Sequence, residues 1–486
     1  MLIAALGMVA LAGMFMVAAA EGSQTAAIVR VSTTAAGGEA NGSSTDVAAS
    51  ADGRYVVFTS DATNLVAGDV NGASDVFLKD TRTGSITLVS SNVSGIQSNG
   101  ISYNGAVSAD GRYVAFCSTA TNLVTPATNG QVQVFVKDMV TGAVSLASAG
   151  QNQQPGDGAS IAPSISADGR YVAFESAADN LVPGDANASH DIFVMDLRSG
   201  LVRLASARSD GVQADRGGFA PAISADGGMV VFMSPATNLV AGASGGSLTQ
   251  IYRKDLSGGG VSLVSASAAG QPGDKDSVDH AAYGPAISAD GRYAAFVSSA
   301  DNLVAGDTNG VVDVFLKDVQ TGTVSRISTD SSGRQTSGSV SRPALPAGER
   351  FVVFSSTAPE LTGSTNGTNE IFVKNVATGH TQLLSHDFAG VEGDADSRDA
   401  AISADGHTVT FASQAGNLVA GDANGATDVF QAPATLAYYW SWYDQKSPHT
   451  GDWVLAANPA SASRDAYFDL LIAGQPQNFT PLAADS

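Results

Sequence analysis

The 486-residue chain carries 24 lysine and arginine residues against 46 aspartate and glutamate residues, which gives a formal net charge of −22. Because such a charge repels nucleic acid and anionic membranes, the composition argues against both as partners. The single cysteine, Cys117, excludes an intrachain disulfide and a metal site built from several thiolates.

Residues 1–20 form an apolar run that ends in Val17-Ala18-Ala19-Ala20. An apolar segment that ends in small residues is typical of a secretory signal peptide, and its length would also suit a membrane anchor. We therefore expect a protein that is secreted, periplasmic or held at the cell surface. After cleavage of this segment, no part of the chain is expected to insert into a membrane.

A phrase related to Ser-Ala-Asp-Gly-Arg-Tyr occurs seven times along the chain. Its copies begin at Ser50, Ser108, Ser166, Ser224, Ser288, Pro346 and Ser403. The spacings between them are 58, 58, 58, 64, 58 and 57 residues. A period of this size indicates an array of supersecondary units, each of which buries its apolar faces against its neighbours.

Each unit contains four segments that favour β-strands. In the first unit these are residues 46–49, 55–60, 75–80 and 85–90, which are short and mostly rich in β-branched and aromatic side chains. An Asp-Gly turn separates the first two segments and a Thr-Gly turn separates the last two. The unit is therefore predicted to be a four-stranded antiparallel sheet.

Aromatic residues recur at two positions of the unit, and thirteen of the nineteen phenylalanines lie there. The second strands carry Phe58, Phe116, Phe174, Phe232, Phe296, Phe354 and Phe411. The third strands carry Phe77, Phe135, Phe193, Tyr252, Phe315, Phe372 and Phe430. Large flat side chains in register can fill the space between neighbouring sheets, which predicts a core of stacked blades.

The two ends of the repeat array complement each other. The seventh unit stops after its third strand at residues 428–431, whereas residues 28–32 resemble the fourth strand of the fifth unit, residues 323–328. The N-terminal strand is therefore expected to complete the last blade. We predict an all-β fold in residues 28–431, a seven-bladed β-propeller of four-stranded antiparallel blades closed by the N-terminal strand.

Two strings identify a family resemblance, Ser-Ala-Asp-Gly-Arg-Tyr-Val-Ala-Phe at residues 108–116 and Asp-Val-Phe-Leu-Lys-Asp at residues 75–80. They resemble the TolB-type, WD40-like propeller repeat of bacterial proteins. The resemblance implies a binding scaffold or an accessory domain of a peptidase or lyase. The chain has seven units where TolB has six, so a role in the Tol envelope system is not expected.

A loop motif before the third strand, Gly-Asp-Val-Asn-Gly-Ala-Ser-Asp at residues 68–75, places three oxygen-bearing side chains on a glycine-containing loop. Oxygen ligands suit a hard cation, which predicts Ca²⁺ as a cofactor, although the spacing differs from that of an EF-hand. The predicted ligands are Asp69, Asn71 and Asp75; Asp185, Asn187 and Asp191; Asp307, Asn309 and Asp313; and Asp422, Asn424 and Asp428. Alternatively, these side chains bond their own backbone as turn formers.

Motifs of several enzyme classes are absent, since the chain has no His-Glu-x-x-His, no Cys-x-x-Cys and no phosphate-binding loop. No catalytic residue is therefore assigned. His280 lies beside Asp274, Asp276 and Asp279 in the longest connection between units, and that cluster is the one candidate for acid–base chemistry. A loop histidine without function is the alternative.

The pattern changes after residue 431, and all three tryptophans lie in residues 435–486. This segment is predicted to be a partial β-sandwich-like module.

The sequence favours a monomeric, non-catalytic propeller scaffold. The connections between strands two and three, and between successive units, are long and share one face of the ring, where loops carry function. We expect that face to bind a protein, peptide or glycan, with Ca²⁺ stabilising its loops. The alternative is a carbohydrate-active enzyme, a lyase or hydrolase, with acidic residues over the central channel. A third hypothesis makes the propeller a spacer for the C-terminal segment.

Overall fold

The chain divides into two compact units, Met1–Ala434 and Thr435–Ser486. The computed structural model describes residues 28–150, 153–243, 248–278, 284–362 and 367–434, and the backbone of residues 453–457 and 468–472. The predicted signal segment, residues 1–20, lies outside the described residues. No helix in the described part of the chain is long and apolar enough to span a membrane.

Short segments rich in β-branched and aromatic residues form the strands of the first unit. In chain order these are β1 (Val29–Arg30), β2 (Ser44–Ala49), β3 (Tyr55–Ser60), β4 (Asp75–Asp80), β5 (Ile86–Leu88), β6 (Ser102–Val107), β7 (Tyr113–Ser118), β8 (Gln133–Asp138), β9 (Val144–Leu146), β10 (Ser160–Ile165), β11 (Tyr171–Ser176), β12 (Asp191–Asp196), β13 (Leu201–Leu204), β14 (Phe219–Ile223), β15 (Met229–Ser234), β16 (Gln250–Asp255), β17 (Val261–Leu263), β18 (Ala286–Ile287), β19 (Tyr293–Ser298), β20 (Asp313–Asp318), β21 (Val324–Arg326), β22 (Val340–Ala344), β23 (Phe351–Ser356), β24 (Glu370–Asn375), β25 (Thr381–Leu383), β26 (Ser397–Ile402), β27 (Thr408–Ser413) and β28 (Asp428–Pro433). A short helix, α1 (Pro359–Thr362), lies between β23 and β24.

Seven four-stranded antiparallel sheets form the blades of a closed ring. Six of them use four consecutive strands, beginning with β2-β3-β4-β5 as blade 1. In blade 7, β1 pairs with β28, with Val29 opposite Gln431 and Arg30 opposite Phe430. The first strands of neighbouring blades contact each other around the ring, including β26 with β2, and so form its inner wall. The predicted seven-bladed propeller, closed by the N-terminal strand, is confirmed.

The fourth strands are shorter than the sequence predicts. The first of them covers Ile86–Leu88 rather than residues 85–90. The N–H groups of Val89 and Ser90 both donate to the carbonyl oxygen of Val76, which ends the regular ladder. The regular strand therefore ends two residues earlier than expected.

The repeated aromatic residues form the core of the ring. Within each blade the ring of the second strand stacks on that of the third, with centroids 5.8 to 6.0 Å apart. Phe116 and Phe135, for example, are fully buried and pack with Val57 and Val76 of the preceding blade. Each blade thus buries its aromatic pair against its neighbour, as the sequence predicts.

Buried lysines on the third strands tie five of the seven blades to the preceding one. Lys137 Nζ donates to the carbonyl oxygen of Ser91 at 2.8 Å and to its hydroxyl at 2.5 Å. Burial lowers the pKa of Lys137 to about 8. Equivalent bonds to the preceding blade are made by Lys79, Lys254, Lys317 and Lys374. These contacts hold the start of the long connection that leads into each of these five blades.

In the second unit, β29 (Trp453–Ala457) and β30 (Phe468–Ile472) pair antiparallel. The rest of the predicted module at residues 435–486 lies outside the described residues.

Candidate functional site

The loop motif predicted to bind a cation lies at the start of the third strand in blades 1, 3, 5 and 7. Its last acid is the first residue of that strand and is fully buried in every case. One carboxylate oxygen accepts a hydrogen bond from a buried serine hydroxyl on the neighbouring fourth-strand segment. The acid–serine pairs are Asp75 with Ser90, Asp191 with Ser206, Asp313 with Ser328 and Asp428 with Ser32. The last acid of each motif therefore has a structural contact that requires no cation.

A glutamine from the following connection joins the two acids of blade 1. Gln97 Nε2 donates to Asp69 Oδ1 at 2.7 Å and to Asp75 Oδ2 at 2.8 Å. Asn71 Nδ2 also donates to Asp75 Oδ2, at 2.8 Å. Burial raises the pKa of Asp69. The side chains that donate to these two carboxylates are neutral, so no positive charge offsets the effect of burial.

The same arrangement recurs in blade 3. Gln213 Nε2 lies 2.6 Å from Asp185 Oδ1 and 2.9 Å from Asp191 Oδ2, whereas Asn187 donates to the Ala214 carbonyl instead. Burial raises the pKa of Asp185 and raises that of Asp191 to about 6. Blades 1 and 3 thus each hold two carboxylates with no nearby guanidinium or ammonium partner among the described ion pairs.

Blades 5 and 7 neutralise the same pair with arginine. Arg326 Nη1 lies 2.9 Å from Asp307 Oδ1 and 3.7 Å from Asp313 Oδ2, while Asn309 donates to Asp313. Arg326 ends the fourth strand, at the position that Leu88 occupies in blade 1. A side chain of this blade thus supplies the positive charge that blade 1 lacks.

In blade 7, Arg30 of the closing strand lies among three acids. Its guanidinium lies 2.5 Å from Glu39, 3.3 Å from Asp422 and 3.8 Å from Asp428. Asn424 donates to Asp428 at 3.0 Å. Among the described residues, Glu39, Asp422 and Asp428 form the only group of three Asp, Glu, His or Cys side chains whose potential ligand atoms lie within 4.8 Å of one another. Because Arg30 already occupies this cluster, a divalent cation would have to displace a guanidinium.

A cation fits blades 1 and 3 better than blades 5 and 7. Ca²⁺ takes carboxylate, amide and carbonyl oxygens, and blade 1 offers Asp69, Asp75 and the amide of Gln97. In the present arrangement the Gln97 oxygen accepts the Val70 N–H at 3.1 Å. Rotation of that amide would turn its oxygen towards both carboxylates, which makes the residues compatible with a bound cation.

Blades 2, 4 and 6 lack the motif but keep the buried acceptor. Gln133 and Gln250 accept the serine hydroxyl in blades 2 and 4 at 2.6 and 2.5 Å, and Glu370 does so in blade 6 at 2.5 Å. Burial raises the pKa of Glu370 to about 7. A neutral amide therefore suffices at this position, and Glu370 carries a charge that its surroundings disfavour.

We expect Glu370→Gln to stabilise the protein at pH 8. The folded pKa of about 7 exceeds the ordinary 4.5, so the folded state binds the proton more tightly and stability falls as pH rises between these values. The amide removes that loss, which amounts to about 3 kcal/mol at pH 8. Urea unfolding at pH 5 and pH 8 measures it, with Gln133→Glu as the reverse control. An unchanged pH dependence in Glu370→Gln would contradict the assignment.

Among the described residues of the first strands, charged side chains occur only in blades 6, 7 and 1. Arg342 Nη1 lies 2.5 Å from Asp399 Oδ1, and burial together with Asp399 raises the pKa of Asp46. These three residues share one position of the first strand, with φ of 42°, 59° and 53°. The equivalent residues of blades 2 to 5 are Asn104, Ala162, Ala220 and Gly284. Sequence reasoning did not single out this cluster.

The predicted acid–base cluster is only partly described, since His280 and Asp279 lie outside the described residues. Asp276 Oδ1 accepts the Thr249 N–H at 2.7 Å, and Asp274 Oδ1 accepts the Asp301 N–H at 3.1 Å. Both acids thus bond to backbone groups as loop-forming residues.

A pair of histidine and glutamate on blade 3 was not predicted from the sequence. His190 Nδ1 lies 2.7 Å from Glu175 Oε1 at the junction of blades 3 and 4. Alignment of the seven units would have found it, because an acid within the second strand and a histidine just before the third occur together only in blade 3.

Comparison with known proteins gives the fold. No protein family and no curated protein matches the sequence. An oligogalacturonate lyase from Vibrio parahaemolyticus is 13% identical, with a TM-score of 0.52 over 86% of this chain and 96% of that one. An oligogalacturonate lyase in complex with manganese is also 13% identical, with a TM-score of 0.51 over 85% and 94% of the two chains.

TolB proteins are among the structural neighbours. TolB from Acinetobacter baumannii is 17% identical, with a TM-score of 0.35, over 63% of this chain and 58% of its own length. The TolB-type repeat itself stays a prediction, because no family matches the sequence. At these identities the structural likenesses show the propeller fold alone.

Proposed function

We propose that this protein is a non-catalytic propeller scaffold, secreted, periplasmic or at the cell surface, that binds a protein, peptide or glycan on its long-loop face. In this proposal it acts as a monomer, and Ca²⁺ stabilises the loops of blades 1 and 3. One observation carries it: the paired carboxylates of Asp69 with Asp75 and Asp185 with Asp191 lack the arginine that neutralises the same pairs in blades 5 and 7.

The blades differ in how they compensate the charge of the same pair of carboxylates. Burying a carboxylate costs free energy unless a positive partner compensates it. Arg326 and Arg30 provide that partner in blades 5 and 7, whereas Leu204 stands at the equivalent position of blade 3. A Ca²⁺ ion in blades 1 and 3 would supply the missing charge and order the loops that form the long-loop face.

Thermal unfolding in EDTA and in millimolar Ca²⁺ tests the proposal. A cation that binds only the folded state stabilises it by about 2.7 kcal/mol at a hundred times its Kd. We expect Ca²⁺ to raise the Tm of the wild type, and the double variant Asp69→Asn with Asp185→Asn to abolish the shift. Asp307→Asn in blade 5 is the matched control and should retain it. A wild-type Tm that is equal in EDTA and Ca²⁺ would contradict cation binding.

The enzyme alternative has its own support in the charged inner wall, where Asp46 and Asp399 lie beside Arg342. Two structures of this fold are oligogalacturonate lyases, one in complex with manganese. Incubation with oligogalacturonate and Mn²⁺, followed by mass spectrometry of chain length, separates the two functions. The scaffold proposal expects no shortening. Shortening that is lost in Asp399→Asn would replace the scaffold with an enzyme.

A further inference from the structure

The junction of blades 3 and 4 holds an imidazole fixed by a buried carboxylate. The side chain of Glu175, on β11, is 8% exposed, and its Oε1 lies 2.7 Å from His190 Nδ1. Its other oxygen accepts the N–H of Ala220 on the first strand of blade 4, at 3.0 Å. The side chain of His190 is 43% exposed. The carboxylate is thus held by both blades, while the imidazole reaches solvent.

Both residues break the sevenfold repeat in the same blade. The residues equivalent to Glu175 are Thr59, Cys117, Met233, Val297, Ser355 and Ala412. Those equivalent to His190 are Ser74, Val132, Thr249, Val312, Asn369 and Thr427. Six blades therefore fold without this pair. Because a buried carboxylate costs free energy, its presence together with its histidine in one blade indicates a role beyond folding.

The contact determines what the imidazole offers to a ligand. In the neutral imidazole, a carboxylate at Nδ1 favours the tautomer with the proton on Nδ1, in which Nε2 is a hydrogen-bond acceptor. The half-buried ring of Phe219 lies beside it, with ring centroids 6.0 Å apart. An apolar ring next to a polar acceptor is a common combination in ligand sites. Among the described residues, no third Asp, Glu, His or Cys side chain joins Glu175 and His190 in a group that could hold a metal ion.

We propose that the junction of blades 3 and 4 is a glycan subsite, in which His190 Nε2 accepts a hydrogen bond from a sugar hydroxyl. The apolar face of the sugar lies against Phe219, and Glu175 is a positioning residue that acts through His190. This subsite rests on the proposed scaffold function and specifies a glycan as its ligand. The subsite lies on the face of the ring that carries the long loops, because His190 immediately precedes the third strand of blade 3.

Chemical labelling tests the imidazole without any glycan. Diethyl pyrocarbonate acylates an accessible neutral imidazole nitrogen, and peptide mass spectrometry gives the rate at each histidine. We expect His190 to react in the wild type, and about tenfold more slowly in Glu175→Gln because the orienting carboxylate is lost. His407, whose side chain is 72% exposed, is the internal reference. An unreactive His190, or equal His190 rates in both proteins, would overturn the assignment.

A glycan array carrying neutral and acidic oligosaccharides tests the ligand class. We expect the wild type to bind at least one glycan, and His190→Ala to weaken that binding about tenfold through loss of one hydrogen bond. Thr249→Ala, the equivalent change in blade 4, should bind normally. Equal binding by the wild type and His190→Ala would overturn the subsite and leave the scaffold intact. No glycan binding by the wild type would overturn the glycan class, while Ca²⁺ stabilisation tests the scaffold separately.

Discussion

Replacing Arg30 with alanine is expected to lower the free energy of unfolding by about 3–5 kcal/mol. The Arg30 side chain is 9% exposed and lies within 4 Å of three carboxylates, Glu39, Asp422 and Asp428. The substitution leaves these acids without a positive partner, and it also weakens the two-residue strand that closes blade 7. Urea unfolding measures the loss.

Arg208→Ala is the control for this change. Arg208 and Asp210 form an ion pair whose side chains are 45% and 48% exposed, and exposed pairs contribute about 0–1 kcal/mol. A loss in Arg30→Ala no larger than that in Arg208→Ala would show that Arg30 does not hold the ring closed. Arg30→Leu adds a second readout. Millimolar Ca²⁺ should restore part of its stability, because Glu39, Asp422 and Asp428 then resemble the arginine-free pairs of blades 1 and 3.

Phe116→Ala is expected to destabilise the protein by about 3–5 kcal/mol. Phe116 is fully buried, and its ring lies 5.8 Å from that of Phe135. It packs in the cluster that joins blades 1 and 2, together with Val57 and Val76. Removing the ring opens a cavity between two sheets whose backbones are held by their own ladders, so the site cannot collapse to fill it.

Chemical denaturation compares this variant with Val140→Ala. Val140 is 75% exposed as a residue, and its truncation should change stability by about 0.5 kcal/mol or less. Phe116→Leu keeps part of the apolar volume and should lose less than Phe116→Ala. A similar loss in both Phe116 variants would indicate that blade packing tolerates the missing ring. The aromatic stack would then contribute less to the free energy of unfolding than its burial implies.

The repeat explains why the fold could be predicted. Strand period, turn residues and aromatic register recur every 58 residues or so, and each is a local property of the chain. The closing strand was predictable for a related reason, since residues 28–32 resemble a fourth strand and the seventh unit lacks one. The lengths of the fourth strands could not be predicted in this way. The first ladder ends where the N–H groups of Val89 and Ser90 both bond to the Val76 carbonyl, and that geometry depends on the tertiary path of the chain.

The candidate sites were predictable only in part. The loop motif located the acids, and the recurrence of Gln97 and Gln213 at a constant interval after Asp69 and Asp185 was a signal that could have added the amides. Nothing local marks Arg30 as the partner of Asp428, which is nearly four hundred residues away in the chain. The pair of Glu175 and His190 was visible only as two departures from the repeat.

The sequence by itself determined the four-stranded form of each blade, the number of blades and the positions of the acidic loops. These features follow from hydrophobic periodicity and turn chemistry, which act between residues close in the chain. The tertiary structure decided which of these acids are compensated. That depends on which side chain from a neighbouring strand or loop reaches within a few ångströms, since the energy of a buried charge is set by its nearest partners. Four similar motifs thereby become two arginine-neutralised pairs and two candidate cation sites.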